Sequence, residues 1–322
     1  MEGRQDIFIN KEILLNPSKS TVEKMNALFS LRDIKEGEVV ETLMKAFKLE
    51  MEKDKEGIQP SDLLLHEICY AFGQIGTEPS LEPICQKYLE EIMRNHPSPI
   101  VVHEATEAYA NLIGSLDKQL IEDLIKKFAN NIVVKETCQL ALSLLRWREE
   151  TDNGKKEGLD FSKLKFNSAD PAPPFAYMKD QYYRDLNYLK DVYLDSTSDL
   201  FQRYRSLFTL RDMMTKEAIE MICTPLTASF FAKDSALLKH EICFVIGQLS
   251  DKAKCAEKFL NYAMENPEEA PVVKHEAALA LGEISKNRAI LLLHSKDRRP
   301  IVAESCLVGL SFIDEYDKLS KN

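Results

Sequence analysis

The sequence has few residues that interrupt helices, since only 11 of its 322 residues are glycine. Stretches in which apolar and polar residues alternate, as they do in a half-buried strand, are scarce as well. Apolar residues instead recur every three or four positions, as at Leu120, Ile121, Leu124, Ile125 and Phe128. This spacing is typical of amphipathic helices. We therefore predict an all-α fold.

Other absences exclude several classes of protein. No apolar run reaches the roughly 18 residues that span a bilayer, and the N-terminal residues do not resemble a secretory signal. The seven cysteines form no C-x-x-C motif, and the net charge of −10 comes without a sustained basic block. We predict a cytoplasmic protein with reduced thiols that binds neither nucleic acid nor membrane. An acidic chain favours a cationic partner or substrate.

The sequence repeats itself once. K-M-N-A-L-F-S-L-R (24–32) matches R-Y-R-S-L-F-T-L-R (203–211), and L-L-L-H-E-I-C-Y-A-F-G-Q (63–74) matches L-L-K-H-E-I-C-F-V-I-G-Q (237–248). Within each half, related segments recur at the shorter period that is typical of an α-solenoid. We predict two pseudo-symmetric halves, each of about four helical hairpins.

A linker separates the predicted halves. Thr151-Asp152-Asn153-Gly154 and Pro171-Ala172-Pro173-Pro174 disfavour helix formation. We predict an N-terminal half at 1–150, a linker at 151–179 and a C-terminal half at 180–322.

Small side chains occupy two equivalent positions of the repeats. One position holds four of the cysteines, and the other holds glycine or alanine. We interpret both as packing positions that let neighbouring helices approach. The residues are Cys69, Cys138, Cys243 and Cys306 at the first position, and Gly73, Ala110, Gly247 and Gly282 at the second.

Four of the six histidines directly precede a glutamate. The pairs are His66-Glu67, His103-Glu104, His240-Glu241 and His275-Glu276, and each lies in a predicted helix of a repeat. A single pair of this kind is more often a capping or packing feature than a ligand. Four copies at equivalent repeat positions would face one concave surface, where buried imidazoles and carboxylates need cations to stabilise them. The set therefore predicts metal binding.

The ligand types favour iron. The pattern contains no thiolate, which disfavours a structural zinc site. Two histidines and one carboxylate with open positions are typical of oxygen-activating non-haem iron. We predict His66, His103 and Glu104 as ligands of one iron, and His240, His275 and Glu276 as ligands of a second, with O2 as co-substrate. Glu67 and Glu241 are then either substrate-binding residues or additional ligands.

These motifs resemble the deoxyhypusine hydroxylase family, in which HEAT-type helical hairpins carry two His-Glu pairs in each half. The resemblance covers essentially the whole chain, including V-K-E-T-C-Q-L-A (134–141) and the linker segment S-A-D-P-A-P-P (168–174). It implies a di-iron monooxygenase that hydroxylates the deoxyhypusine side chain of a translation initiation factor and so completes hypusine, a post-translational modification. The family's substrate side chain is a polycation, and its four His-Glu positions are all occupied here. The electron donor is not identified.

Two alternatives belong to other functional classes. A non-catalytic HEAT-repeat scaffold would bind proteins along its concave face and hold no stoichiometric metal. A dinuclear hydrolase would use zinc or manganese in the same site and would need neither O2 nor a reductant.

Overall fold

The computed structural model describes residues 2–112, 117–166, 168–175, 185–227, 234–285 and 287–319. Every regular element in these ranges is a helix, so the all-α prediction is confirmed for them. None of these helices combines the length and the hydrophobicity that crossing a membrane requires. The contacts divide the chain into two units, residues 1–141 and 142–322.

The first unit contains four successive pairs of helices, and the last helix continues past residue 141. Neighbouring even-numbered helices lie side by side, α2 against α4 and α4 against α6. Both His-Glu pairs of this half lie on even-numbered helices, as the repeat pattern requires. The helices are α1 (Glu2–Leu15), α2 (Thr21–Leu31), α3 (Gly37–Glu52), α4 (Asp62–Ile75), α5 (Glu82–Asn95), α6 (Pro99–Asn111), α7 (Lys118–Lys127) and α8 (Ile132–Thr151).

The second unit repeats this order. Its even-numbered helices also pack in sequence, α10 on α12, α12 on α14, and α14 on α16. The helices are α9 (Leu186–Leu194), α10 (Leu200–Met213), α11 (Lys216–Ile222), α12 (Ala236–Leu249), α13 (Glu257–Glu265), α14 (Pro271–Ile284), α15 (Ala289–His294) and α16 (Pro300–Leu319). Short 3-10 turns lie at Lys53–Glu56, Lys155–Glu157, Phe161–Lys163, Thr224–Leu226 and Ser250–Ala256.

The His-Glu helices begin at residues suited to that position. Ser61 accepts a hydrogen bond from the backbone N–H of Leu64 at the start of α4, and Ser235 does the same for Leu238 at the start of α12. The helices α6 and α14 begin instead with proline, which is well tolerated in the first turn. Each helix then buries most of its residues around its motif, so the ligand candidates are carried on well-buried helices.

Small residues allow these helices to approach closely. A Cβ added at Gly282 would lie 2.6 Å from the Cα of Gly309, so α14 and α16 are in backbone contact there. A Cβ at Gly73 would lie 3.1 Å from the Cα of Ala108 on α6. The four cysteines of the repeat position are buried, as packing residues are.

The segment from residue 157 to 175, without residue 167, is called the strap here. It lies along α10 within the second unit. Arg205 donates to the Glu157 carboxylate and to the Pro173 carbonyl, and its guanidinium stacks on Phe175. The buried Arg211 donates to Asp170 Oδ1 at 3.0 Å, to Ser168 Oγ at 3.2 Å and to Gln248 Oε1 at 2.7 Å.

The strap therefore overlaps the predicted linker 151–179, of which residues 167 and 176–179 lie outside the described residues. The described part of the linker belongs to the second unit. The domain boundaries at 150 and 180 stay a prediction.

Candidate metal centre

Three predicted ligands of the first half come together between α4 and α6. His66 Nε2 lies 3.3 Å from His103 Nε2 and 3.2 Å from Glu104 Oε2. His103 Nε2 lies 3.9 Å from the same carboxylate oxygen. All three side chains are buried, with His103 fully enclosed. We call these three residues the first group.

The other ring nitrogen of each histidine has a partner of its own. His66 Nδ1 lies 3.1 Å from Glu67 Oε1, and His103 Nδ1 lies 3.5 Å from the Thr137 hydroxyl on α8. Thr137 donates its own proton to the Val133 carbonyl at 3.0 Å, so its oxygen can accept the Nδ1 proton of His103. Partners of this kind fix the tautomer in which Nε2 carries the lone pair that a metal needs.

Two carboxylates decide the protonation of His66. Burial lowers the pKa of its imidazole, but the charge and hydrogen bond of Glu104, followed by those of Glu67, outweigh burial and raise the pKa to about 10. The buried His96, which lies away from the group, shows the opposite result, because burial dominates there and lowers its pKa. The environment of His66 therefore favours a positive charge, which a metal ion can supply in place of the proton.

The second half has the corresponding arrangement on α12 and α14. His240 Nε2 and His275 Nε2 lie 3.8 and 3.9 Å from Glu276 Oε2, and the two imidazole rings are 5.2 Å apart. All three side chains are buried. We call His240, His275 and Glu276 the second group. Glu241 is buried beside it. Burial lowers the pKa of the Arg211 guanidinium, but the Asp170 carboxylate and, after it, the charge of Glu241 outweigh burial and raise that pKa.

The donors of the first group fit a metal ion. Two imidazole nitrogens and one carboxylate oxygen lie within 4.8 Å of one another in a buried setting. The set contains no thiol, and burial together with the charges of Glu104 and Glu67 raises the pKa of the nearby Cys69 thiol well above its ordinary value. A nitrogen and carboxylate set suits iron better than a structural zinc site.

The structure thus brings together the predicted ligands within each half. It places Glu67 directly against His66, a contact that the sequence did not predict. Thr137 was not singled out from the sequence either. It follows Glu136, which stands at the glutamate position of the third repeat, where Lys135 replaces the histidine. A hydroxyl recurs at the equivalent Ser305 of the second half, which is fully buried. That repeat of small hydroxyl residues was the signal available.

The comparisons with known proteins agree on one family. No protein-family model matches the chain. A deoxyhypusine hydroxylase from Danio rerio is 34% identical over 328 residues, covering 100% of this chain and 95% of the relative. The enzyme of the same name from Drosophila melanogaster is 33% identical over 98% of this chain and 94% of its own. The chain belongs to the deoxyhypusine hydroxylase family.

A solved structure supports the same assignment. Human deoxyhypusine hydroxylase in complex with glycerol matches with a TM-score of 0.76 and 30% identity, covering 98% of both chains. The helical solenoid predicted from the sequence is confirmed by this match. Membership in the deoxyhypusine hydroxylase family makes the chain an enzyme, an oxidoreductase of the monooxygenase type. It decides against the non-catalytic scaffold and against the hydrolase.

Proposed function

We propose that the chain hydroxylates the deoxyhypusine side chain of a translation initiation factor, with two iron ions and O2. The observation that carries this proposal is the first group, in which two imidazoles and a carboxylate converge inside a member of the hydroxylase family. His66, His103 and Glu104 would hold one iron ion, and His240, His275 and Glu276 the other. The iron supplies the activation of O2 when it is bound.

Side chains beside the first group orient its two histidines. Glu67 accepts the Nδ1 proton of His66 and so keeps Nε2 as the ligand atom. Thr137 does the same for His103. Leu65 and Val102, which precede His66 and His103 in the sequence, are fully buried, so apolar residues accompany both histidines into the interior.

The substrate side chain carries amines, and buried carboxylates are suited to bind them. Glu67 engages His66 through Oε1, and its second oxygen can accept from a substrate ammonium group. Glu241 is the equivalent residue of the second half and is 3% exposed. Two buried carboxylates in a chain of net charge −10 favour a cationic ligand over a neutral one. We assign Glu67 and Glu241 to substrate binding on this basis.

Metal analysis and turnover together test the proposal. The protein is loaded anaerobically with Fe(II), and its iron content and hydroxylation of deoxyhypusine-modified factor are measured with O2 and a reductant. His66→Ala should remove half of the iron and abolish turnover. The matched control is His96→Ala, which deletes a buried histidine that meets Phe47 edge to face outside the group and should leave the iron content unchanged. Turnover that survives complete removal of iron would contradict the proposal.

A second comparison separates the roles of the carboxylates. Glu67→Gln and Glu241→Gln should raise the KM for the modified factor more than they lower the iron content. Glu104→Gln should instead remove iron, because its oxygen lies among the ligand atoms. Glu67→Gln keeps an oxygen that can accept the Nδ1 proton of His66, so loss of iron from the Glu67 or Glu241 variant as complete as that from Glu104→Gln would make those residues ligands.

A further inference from the structure

A buried ion pair joins the two helices of the second group. The ammonium of Lys239 lies 2.9 and 3.0 Å from the two carboxylate oxygens of Glu269. The side chains are 5% and 2% exposed, so the pair is removed from solvent. Two charges buried in this way are stable only while both are present.

The pair sits next to both histidine ligands. Lys239 directly precedes His240 on α12. Glu269 directly precedes Ala270, the N-cap residue of α14, and accepts its backbone N–H at 2.9 Å. The ion pair therefore joins the start of α14 to the turn of α12 that holds His240. Since His275 lies in the second turn of α14, the pair connects the backbone segments that carry both histidines.

The same device occurs at two other helix starts among the described residues. Lys24 on α2 pairs with Glu50, which accepts the backbone N–H of Ser61 before α4. Arg203 on α10 pairs with Asp234, and that carboxylate accepts the N–H of Ser235 before α12. Each pair joins a helix without ligands to a ligand helix. Of these three, Lys239–Glu269 is the pair that joins two helices of one group.

The first group is held differently. Leu65 and Pro97 stand at the positions equivalent to Lys239 and Glu269. The tie between α4 and α6 is a hydrogen bond from the Ser98 hydroxyl, at the N-cap of α6, to the Asp62 carboxylate on α4 at 2.8 Å. We call the Lys239–Glu269 ion pair the clamp. The clamp in the second half therefore corresponds to a hydrogen bond from a hydroxyl to a carboxylate in the first half.

We propose that Lys239 and Glu269 are positioning residues of the second group, which hold His240 and His275 at the separation that a metal ion requires. The inference rests on the proposed function, since it presumes that the second group binds iron. Replacement of a residue that orients metal ligands without binding the metal typically lowers the metal affinity by about 10–100-fold. The clamp is specific to the second group, so its removal should leave the first group intact.

The test uses Fe(II) and a competing chelator in a protein with only one group available. In a His66→Ala background the retained iron reports on the second group. Lys239→Leu, which copies the first half, should lower the iron affinity there by about 10–100-fold. Lys239→Arg keeps the charge and should hold iron as the parent does. Lys24→Met is the control for the loss of a buried lysine, because Lys24 joins no two helices of one group and Glu50 keeps a second partner in Lys53.

Folding is controlled separately. The double variant Lys239→Leu/Glu269→Gln leaves no lone buried charge and should fold, as urea unfolding and circular dichroism report, yet still bind iron weakly. In a His240→Ala background, Lys239→Leu should not change the iron affinity of the first group. Equal iron affinity in the Lys239→Leu and Lys24→Met variants would overturn this inference and leave the proposed function standing. A parent protein that binds no iron at all would overturn the proposed function and the inference with it.

Discussion

The histidines proposed as ligands are oriented by other side chains. Each imidazole of the first group presents Nε2 inward because another side chain occupies Nδ1. For His66 that side chain is Glu67, and for His103 it is Thr137. A charged acceptor holds its donor more strongly than a hydroxyl does. His103 is therefore the ligand whose orientation is more weakly supported.

Thr137→Val should weaken iron binding to the first group. The substitution keeps the volume but removes the oxygen 3.5 Å from His103 Nδ1, so we expect a loss of affinity of about tenfold or more. The affinity is measured by chelator competition in a His240→Ala background. Thr106→Val is the control, because Thr106 is also buried and bonds to its own helix at Val102 without contacting a histidine. Similar affinities in the two variants would contradict the role of Thr137.

The His-Glu residues stand out in the sequence as candidate ligands because they recur four times. Repetition marked them as equivalent, and helical spacing placed them on the inner helices. Thr137 carries a weaker mark, the hydroxyl that recurs at Ser305. Its importance appears only once α8 is placed beside α6, because a hydroxyl residue that follows a glutamate at two sites does not by itself point to a histidine.

At the level of helices, small residues set how closely the ligand helices pack. Gly282→Ala should destabilise the protein by about 1–3 kcal/mol, because the new Cβ would meet the backbone of Gly309 and push α16 from α14. Gly247→Ala is the matched control at the equivalent repeat position. Its Cβ would lie 3.6 Å from the nearest atom of Ala280, and alanine favours the helix by about 0.5–1 kcal/mol. Urea unfolding measures both, and equal losses would contradict the steric argument.

The loop before α16 is held by an ion pair whose strength depends on pH. Arg299 binds Asp297 through its guanidinium and its backbone N–H, and these bonds lower the pKa of Asp297 from 3.8 to about 2. A lowered pKa in the folded state stabilises the fold above pH 3.8, and this contribution is lost as the pH falls toward 2.

Asp297→Asn should therefore reduce the free energy of unfolding at pH 7, and the deficit should shrink as the pH falls from 3.8 toward 2. Denaturant unfolding of both proteins across this range measures it. Asp314→Asn removes the partner of Arg288 in an exposed pair and should have little effect at any pH. A deficit for Asp297→Asn that stays constant with pH would show that packing, not charge, holds the loop.

The periodicity of apolar residues predicts the helices better than it predicts the ion pairs that join one helix to another. The apolar spacing and the turn residues between segments are local signals, and they place four hairpins in each half. The clamp is not local. Lys239 and Glu269 are 30 residues apart, and their counterparts in the first half are Leu65 and Pro97. The duplication that revealed the ligands therefore gives no sign of the clamp.

For the chain as a whole, the strap is the feature that the sequence described least well. Its prolines and glycine correctly excluded long helices, and that composition predicted a linker. The structure shows a segment docked on α10 through Arg205 and Arg211. The equivalent positions of the first half hold Asn26 and Arg32, and the Arg32 guanidinium lies over the rings of Phe29 and Tyr70. The composition of a segment can argue against a helix, but it cannot show which arginine of another helix binds the segment's carboxylates.

The strap should be released when Arg211 loses its carboxylate partner. Asp170 is 10% exposed and faces a guanidinium that is 1% exposed, so Asp170→Asn leaves a buried charge with only neutral acceptors. Each 1.4 kcal/mol lost from local docking raises the open fraction about tenfold. Trypsin should then cleave after Lys163 and Lys165 at least about tenfold faster than in the unaltered protein, as mass spectrometry of the fragments over time reports.

Asp160→Asn is the matched control for this experiment. Asp160 lies in the same strap and pairs with Lys163, but both side chains are exposed, so its loss should change docking little. Asp170→Asn should accelerate cleavage after Lys165 while Asp160→Asn should not; this site is compared because Asp160 pairs with Lys163 itself. The iron retained by the second group reports whether release of the strap also disturbs α12 through Gln248. Equal cleavage rates would show that Arg205 and the apolar contacts hold the strap without Asp170. Because the Arg211 guanidinium contacts both the strap and the helix of His240, faster cleavage with a parallel loss of iron is the outcome we expect.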